Sequence, residues 1–127
     1  MKRIVLCLLL TLPLTAGAAE NSANVKQEIE HLIGHLAASG CQFNRNGSWY
    51  DSSRAVSHLQ RKYEYLLKRN LAPSAEAFIE RAASESSASG KPYYVRCGDQ
   101  AQVQSAVWFR DELAKFRASG GKSPLTQ

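Results

Sequence analysis

Three sets of residues in this 127-residue chain have types and spacings that can do chemistry: the cysteines, two histidines one helical turn apart, and a serine-rich stretch ending in Gly90-Lys91. Cys41 and Cys97 each end a segment whose side chains alternate in character, Cys41-Gln-Phe-Asn-Arg45 and Tyr93-Tyr-Val-Arg-Cys97. In an oxidising compartment such a pair forms a crosslink, and in a reducing one it stays as two thiols, so the compartment decides. The N-terminus speaks to that. Met1-Lys-Arg is a basic start, Ile4 to Leu14 an apolar run broken by Thr11 and Pro13, and Ala16-Gly-Ala18 a small-residue cleavage pattern. Together these mark a secretory signal peptide over 1–19, cut after Ala18 or Ala19. The run falls short of the about 20 residues that cross a bilayer, and no second one follows. We therefore expect a periplasmic, exported chain with no transmembrane segment after cleavage. Cys7 leaves with the peptide, and Cys41 and Cys97 are expected to form a disulfide.

His31 and His35 can in principle share a metal ion, but no Glu follows His31 to complete His-Glu-x-x-His. With Glu28 they read as the solvated polar face of a helix, and no metal site is expected. Gly90-Lys91 invites a phosphate-loop reading that fails on two counts. Glu85 stands where the first glycine belongs, and Pro92 removes both the hydroxyl and an amide donor. Ser84, Ser86, Ser87 and Ser89 are better suited to satisfying backbone groups of a turn. A serine hydrolase needs a base beside its nucleophile; His58 is the candidate, but no Gly-x-Ser-x-Gly elbow is present. No catalytic residue and no cofactor are expected.

Charge offers a different chemistry. Sixteen Lys and Arg against eleven Asp and Glu give a formal +5, and losing Lys2 and Arg3 with the signal peptide leaves about +3. Much of this excess falls on one predicted helix, roughly Ser52 to Arg69, where Arg54, His58, Arg61, Lys62, Lys68 and Arg69 surround Tyr65, and Glu64 is the lone acid, near the edge. A cationic helix face suits an anionic partner.

These residues are positioned by a chain that reads as mainly helical α+β. We expect about four helices and a small two-stranded antiparallel β element stapled by the disulfide, in one domain over 20–118 with a disordered tail over 119–127. The first helix runs from a Ser22 cap to Gly40, with Val25, Ile29, Leu32, Ile33 and Leu36 on one face. Asn46-Gly47 is a turn, and Asp51-Ser-Ser caps the basic helix, whose apolar stripe is Val56, Leu59, Tyr63, Leu66 and Leu67. Asn70 closes it, and Pro73 with Ser74 starts a third helix burying Ala75, Phe78, Ile79, Ala82 and Ala83. Asp99 and Gln102 form a capping box for the last helix, whose inner stripe is Ala106, Phe109, Leu113 and Phe116. Setting Cys41 opposite Cys97 in an antiparallel pair places Phe43 opposite Val95 and Arg45 opposite Tyr93, so the apolar members share one face.

The blocks Phe43-x-Arg-Asn-Gly47, Ala55-Val-Ser-His-Leu59-x-x-Lys62, Ala75-Glu-x-Phe-Ile79 and Ala83-Ser-x-Ser-Ser-x-x-Gly-Lys-Pro-Tyr93 resemble the YfeK-like family of small exported bacterial proteins. The likeness spans roughly Val25 to Arg96. It implies export and a shared fold, and no substrate, catalyst or cofactor. Ser89-Gly-Lys-Pro-Tyr93 also matches Ser-Gly-x-x-Tyr, similar to a signature of periplasmic lysozyme inhibitors, which are all-β barrels. The reading that follows is a non-catalytic binding or envelope-associated protein whose basic helix, joined by Arg45, Lys91 and Arg96, meets an anionic envelope component or an acidic protein, and not nucleic acid. Inhibition of an envelope hydrolase such as lysozyme is the second class, and a small hydrolase the third.

Overall fold

The computed structural model describes residues 17–121, with side chains from Ser22 onward. Of the expected signal peptide over 1–19, residues 1–16 lie outside the described residues and 17–19 open the first helix, ahead of the expected Ser22 cap; of the expected tail over 119–127, residues 119–121 are described, with Gly121 N donating to the Phe116 carbonyl at 2.9 Å, and the rest lie outside. Eight elements follow in order: α1 (Gly17–Ser39), β1 (Gln42–Arg45), β2 (Ser48–Tyr50), α2 (Ser52–Lys68), α3 (Ala75–Ala82), β3 (Tyr94–Arg96), β4 (Val103–Gln104) and α4 (Ser105–Ala118). The class is the mainly helical α+β arrangement expected, with four helices.

Local chemistry sets most boundaries. Gly40, at φ +65°, takes the left-handed conformation that ends α1. The Asp51 carboxylate accepts the Arg54 amide at 2.9 Å, and the Ser74 hydroxyl accepts that of Ala77 at 3.0 Å, so α2 and α3 start where side-chain caps were legible. Asn46 and Gly47 both have positive φ, 51° and 84°, as a two-residue turn between right-twisted strands requires. The turn therefore folds Ser48–Tyr50 back as a strand against β1, a third strand beyond the two expected.

The sheet is antiparallel throughout in the order β2-β1-β3-β4, so the two expected strands are its central pair. Gln42 faces Arg96, Phe43 faces Val95 and Asn44 faces Tyr94, which is the register derived from the cysteines. Cys41 and Cys97 are bonded at its end, across a separation of 56 residues. In the chain-entropy account a loop of that length is worth about 4 kcal/mol. One expectation is corrected: Asp99 and Gln102 do not cap the last helix. Residues beyond Gly98 form a loop, β4 pairs with β3, and α4 begins at Ser105 after Gln104. Pairing with β3 satisfies the backbone of 103–104 in the sheet.

The core lies between the sheet and the four helices. Phe43, Tyr93 and Val95 from the sheet meet Leu32 and Leu36 of α1, Leu59 of α2, Phe78 and Ile79 of α3, and Phe109 of α4, all at most 2% exposed. Alanines at 75, 82 and 83 are fully enclosed and let α3 approach its neighbours closely. In α2 the buried centre is Ala55, Leu59 and Leu66, while Leu67 is 49% exposed, because each residue turns the helix by about 100°. His31 and His35 are also corrected. The first is not solvated: its ring stacks on Phe116 at 3.9 Å and its Nε2 lies 2.8 Å from Glu112 Oε1, while His35 Nε2 is 3.4 Å from Glu112 Oε2. The pair serves as a polar seam between α1 and α4. Arg117 holds α4 to both other neighbours, pairing with Glu28 of α1 and Glu76 of α3.

Candidate functional site

The phase of α2 separates its basic residues into two groups. Burying Ala55, Leu59 and Leu66 turns Arg54, Arg61 and Lys68 away from the core, where all three are exposed, while Arg69, also exposed, is the C-cap residue. His58 and Lys62 fall on the flank between, and that flank packs against Tyr93, just before β3. His58 Nε2 is 3.2 Å and Lys62 Nζ 3.3 Å from the Tyr93 hydroxyl, and Lys62 also donates to the Glu85 carbonyl at 3.2 Å. Tyr93 itself is 2% exposed. Its phenol is thus a buried hub between helix and sheet.

Electrostatics follow from that packing. Burial, reinforced by Arg45, Lys62 and Arg61, lowers the His58 pKa to about 4, so the imidazole is neutral at pH 7. Burial and Arg45 also hold the Lys62 ammonium below its ordinary range, partly offset by Glu85. Burial pushes the Tyr93 phenol up, with Arg45 acting against it. Arg45, on the core side of β1, has its Nε buried without a hydrogen-bond partner, and its guanidinium lies 5.6 Å from the Tyr50 ring, which Arg54 approaches at 5.8 Å. Arg69 stacks on Tyr65 at 3.7 Å. Among the described residues, no ion pair involves a cation of α2.

The serine turn is built as the short polar side chains suggested. Ser84 Oγ donates to the Ile79 carbonyl at 2.7 Å, and the buried Ser86 hydroxyl accepts from the amides of Ala88 and Ser89 at 3.3 Å each. Ser89 Oγ donates to Asn46 Oδ1 at 2.6 Å and ties the turn to the β1–β2 hairpin. Since Tyr93 is enclosed, a partner meeting Ser89-Gly-Lys-Pro-Tyr93 meets Ser89, Gly90 and Lys91 and not the phenol. Arg96, a further cation considered above, lies away from α2: it stacks over Trp49 at 4.0 Å and donates to Gln42 at 2.7 Å.

Of the six basic positions read from the sequence, Arg54, Arg61 and Lys68 share the open side, Arg69 caps the end of the helix over Tyr65, and His58 and Lys62 lean into the sheet. The hub they lean on, Tyr93, was not singled out. The expected register had placed it opposite Arg45 on the core face, which was the available signal. Arg81 of α3 was also missed, and only its packing against α2 brings it into the same region.

This helical frame closed over a small stapled sheet belongs to a recognised family: residues 23–117 match the family of unknown function DUF5329, and the chain is a member of it. A relative from Salmonella typhimurium strain LT2, described as uncharacterized protein YfeK, is 40% identical over 97 residues, which cover 73% of this chain and 77% of the relative. No solved structure matches the chain. No helix among the described residues is long and apolar enough to cross a membrane.

Proposed function

We propose that this protein is an exported, non-catalytic domain that binds an anionic component of the cell envelope through the open side of α2. The observation that supports this most directly is the segregation of charge. Arg54, Arg61 and Lys68 share one helical side, Arg69 stands exposed at its end, and none of the four takes part in an ion pair among the described residues, whereas Glu28, Glu30, Glu76 and Glu112 are paired around α1, α3 and α4. Glu64 is the one acid on this helix, and cations that outnumber it without forming ion pairs attract anions over a range of about 8 Å at physiological salt. The disulfide agrees with export but does not require it.

The test is cosedimentation with vesicles of phosphatidylglycerol in phosphatidylcholine, beside pure phosphatidylcholine vesicles and cell-wall fragments. Binding to the anionic material should fall as salt rises and should weaken in the triple variant Arg54→Gln, Lys68→Gln, Arg69→Gln, whose side chains are exposed and leave the core intact. Binding indifferent to both salt and the substitutions removes the reading. Stoichiometric loss of a lysozyme's rate on adding the protein would instead favour an inhibitor.

A further inference from the structure

The basic side of α2 is not uniform along its length. Where it passes α3 and the serine turn, His58, Arg61, Lys62 and Tyr65 of α2, with Arg81 of α3 and Ser87 of the turn, line an open cleft of about 510 Å³. That volume is within the range of small-molecule sites. Three cations from two helices surround it, and Glu85 is the carboxylate close enough to act on Lys62. Lys62 donates to two neutral oxygens, the Glu85 carbonyl and the Tyr93 hydroxyl. Arg81 is anchored on one side by donation from Nη1 to the Leu71 carbonyl at 2.6 Å. No hydrogen bond or ion pair engages the side chains of Arg61 and Ser87 among the described residues.

We propose that this cleft binds the oxyanion of a phosphate ester, held by the guanidinium groups of Arg61 and Arg81 from α2 and α3, with Ser87 donating from the turn. A planar carboxylate is satisfied by a single arginine fork. Donors arriving from two helices and a loop match a tetrahedral group that presents oxygens in several directions. Tyr65, half exposed beside the cations, offers an apolar surface to the carbon side of such an ester. The inference rests on the anionic-partner reading and narrows it to a phosphate group, which can be a lipid headgroup or a soluble ester.

The experiment is a titration of the purified protein with glycerol 3-phosphate at constant ionic strength, followed by amide chemical shifts, with sodium acetate as the carboxylate control. Saturable shifts at Ser87 and Arg81, absent with acetate, are expected. Arg81→Gln should weaken binding about tenfold, the loss expected from one charge-assisted contact. Arg81 also braces Leu71, so Ser87→Asp is the second variant. It sacrifices no hydrogen bond and puts a carboxylate at the cleft, and a similar loss is expected. Lys26→Gln, exposed on α1 and outside the cleft, should leave the affinity unchanged. Competition between glycerol 3-phosphate and phosphatidylglycerol vesicles identifies the lipid headgroup as the source; saturable binding of glycerol 3-phosphate without vesicle binding supports a soluble ester and overturns the membrane form of the wider reading. Absence of saturable shifts, or wild-type affinity in both Arg81→Gln and Ser87→Asp, overturns the cleft. If vesicle binding then persists and still responds to Arg54, Lys68 and Arg69, the α2 reading survives alone.

Discussion

The neutral His58 makes stability depend on pH in a calculable direction. Its pKa is about 4 in the folded protein against 6.5 for an unperturbed imidazole. The unfolded chain therefore binds the extra proton first. The stabilisation is fully present above about pH 6.5, is lost as pH falls, and is gone below about pH 4. A shift of this size corresponds to about 3 kcal/mol if the site were fully shielded. His58 is only partly buried, and screening by water reduces the expected effect to about 1–2 kcal/mol. The perturbation is His58→Gln, compared with wild type by urea unfolding at pH 7.5 and pH 4.5. At the higher pH the variant should lose about 1 kcal/mol with the contact to Tyr93. At the lower pH the gap should close or reverse, because the variant has no imidazole to protonate. His35, whose pKa burial also lowers, and Glu76, whose carboxyl Arg117 holds down, add acid sensitivity to both proteins and cancel in the comparison. An equal pH dependence in the two proteins, or a His58 titration midpoint near 6.5 by NMR, would refute the reasoning.

Two further predictions concern the frame. Replacing Cys41 and Cys97 together by Ser should lower stability by about 4 kcal/mol, read as an earlier urea midpoint, with the amides of β1 and β3 losing hydrogen-exchange protection; an unchanged midpoint means the crosslink carries no constraint. Glu112→Ala leaves His31, whose side chain is 11% exposed, without its partner and should cost about 1–3 kcal/mol in thermal unfolding. Glu30→Ala breaks an exposed pair with Lys26 and should cost less than about 0.5 kcal/mol, so equal effects would contradict the assignment of a buried seam.

Several features of the fold were legible because they are written in single segments. Asp51 and Ser74 announce helix starts with their own side chains, and Asn46-Gly47 announces a turn. The β1–β3 register was legible for a different reason. A one-residue slip would have moved Phe43 and Val95 off the core face, so the cysteine pairing and the apolar pattern admitted one alignment. The short strands at the sheet edges escaped notice, since Trp49-Tyr50 and Val103-Gln104 are too brief to show a period. Asp99-x-x-Gln102 matched a capping pattern by composition, but β3 claimed the backbone beyond it.

The candidate site shows the same division. The grouping of Arg54, Arg61 and Lys68 on one side depends on the turn angle of a single helix, which the spacing of its apolar residues reveals. The inward lean of His58 and Lys62, and the arrival of Arg81 beside Arg61, depend on how α2 meets β3 and α3. Taken alone, the sequence was enough for the family resemblance, carried by spaced residue blocks, and for the mainly helical class, the disulfide partners and the strand register, which follow from local periodicities and one reactive pair. That His58 is neutral, which carboxylate His31 meets and whether the cations line a cleft were decided only in three dimensions. Those properties belong to contacts between distant elements, whose packing angles no local pattern encodes.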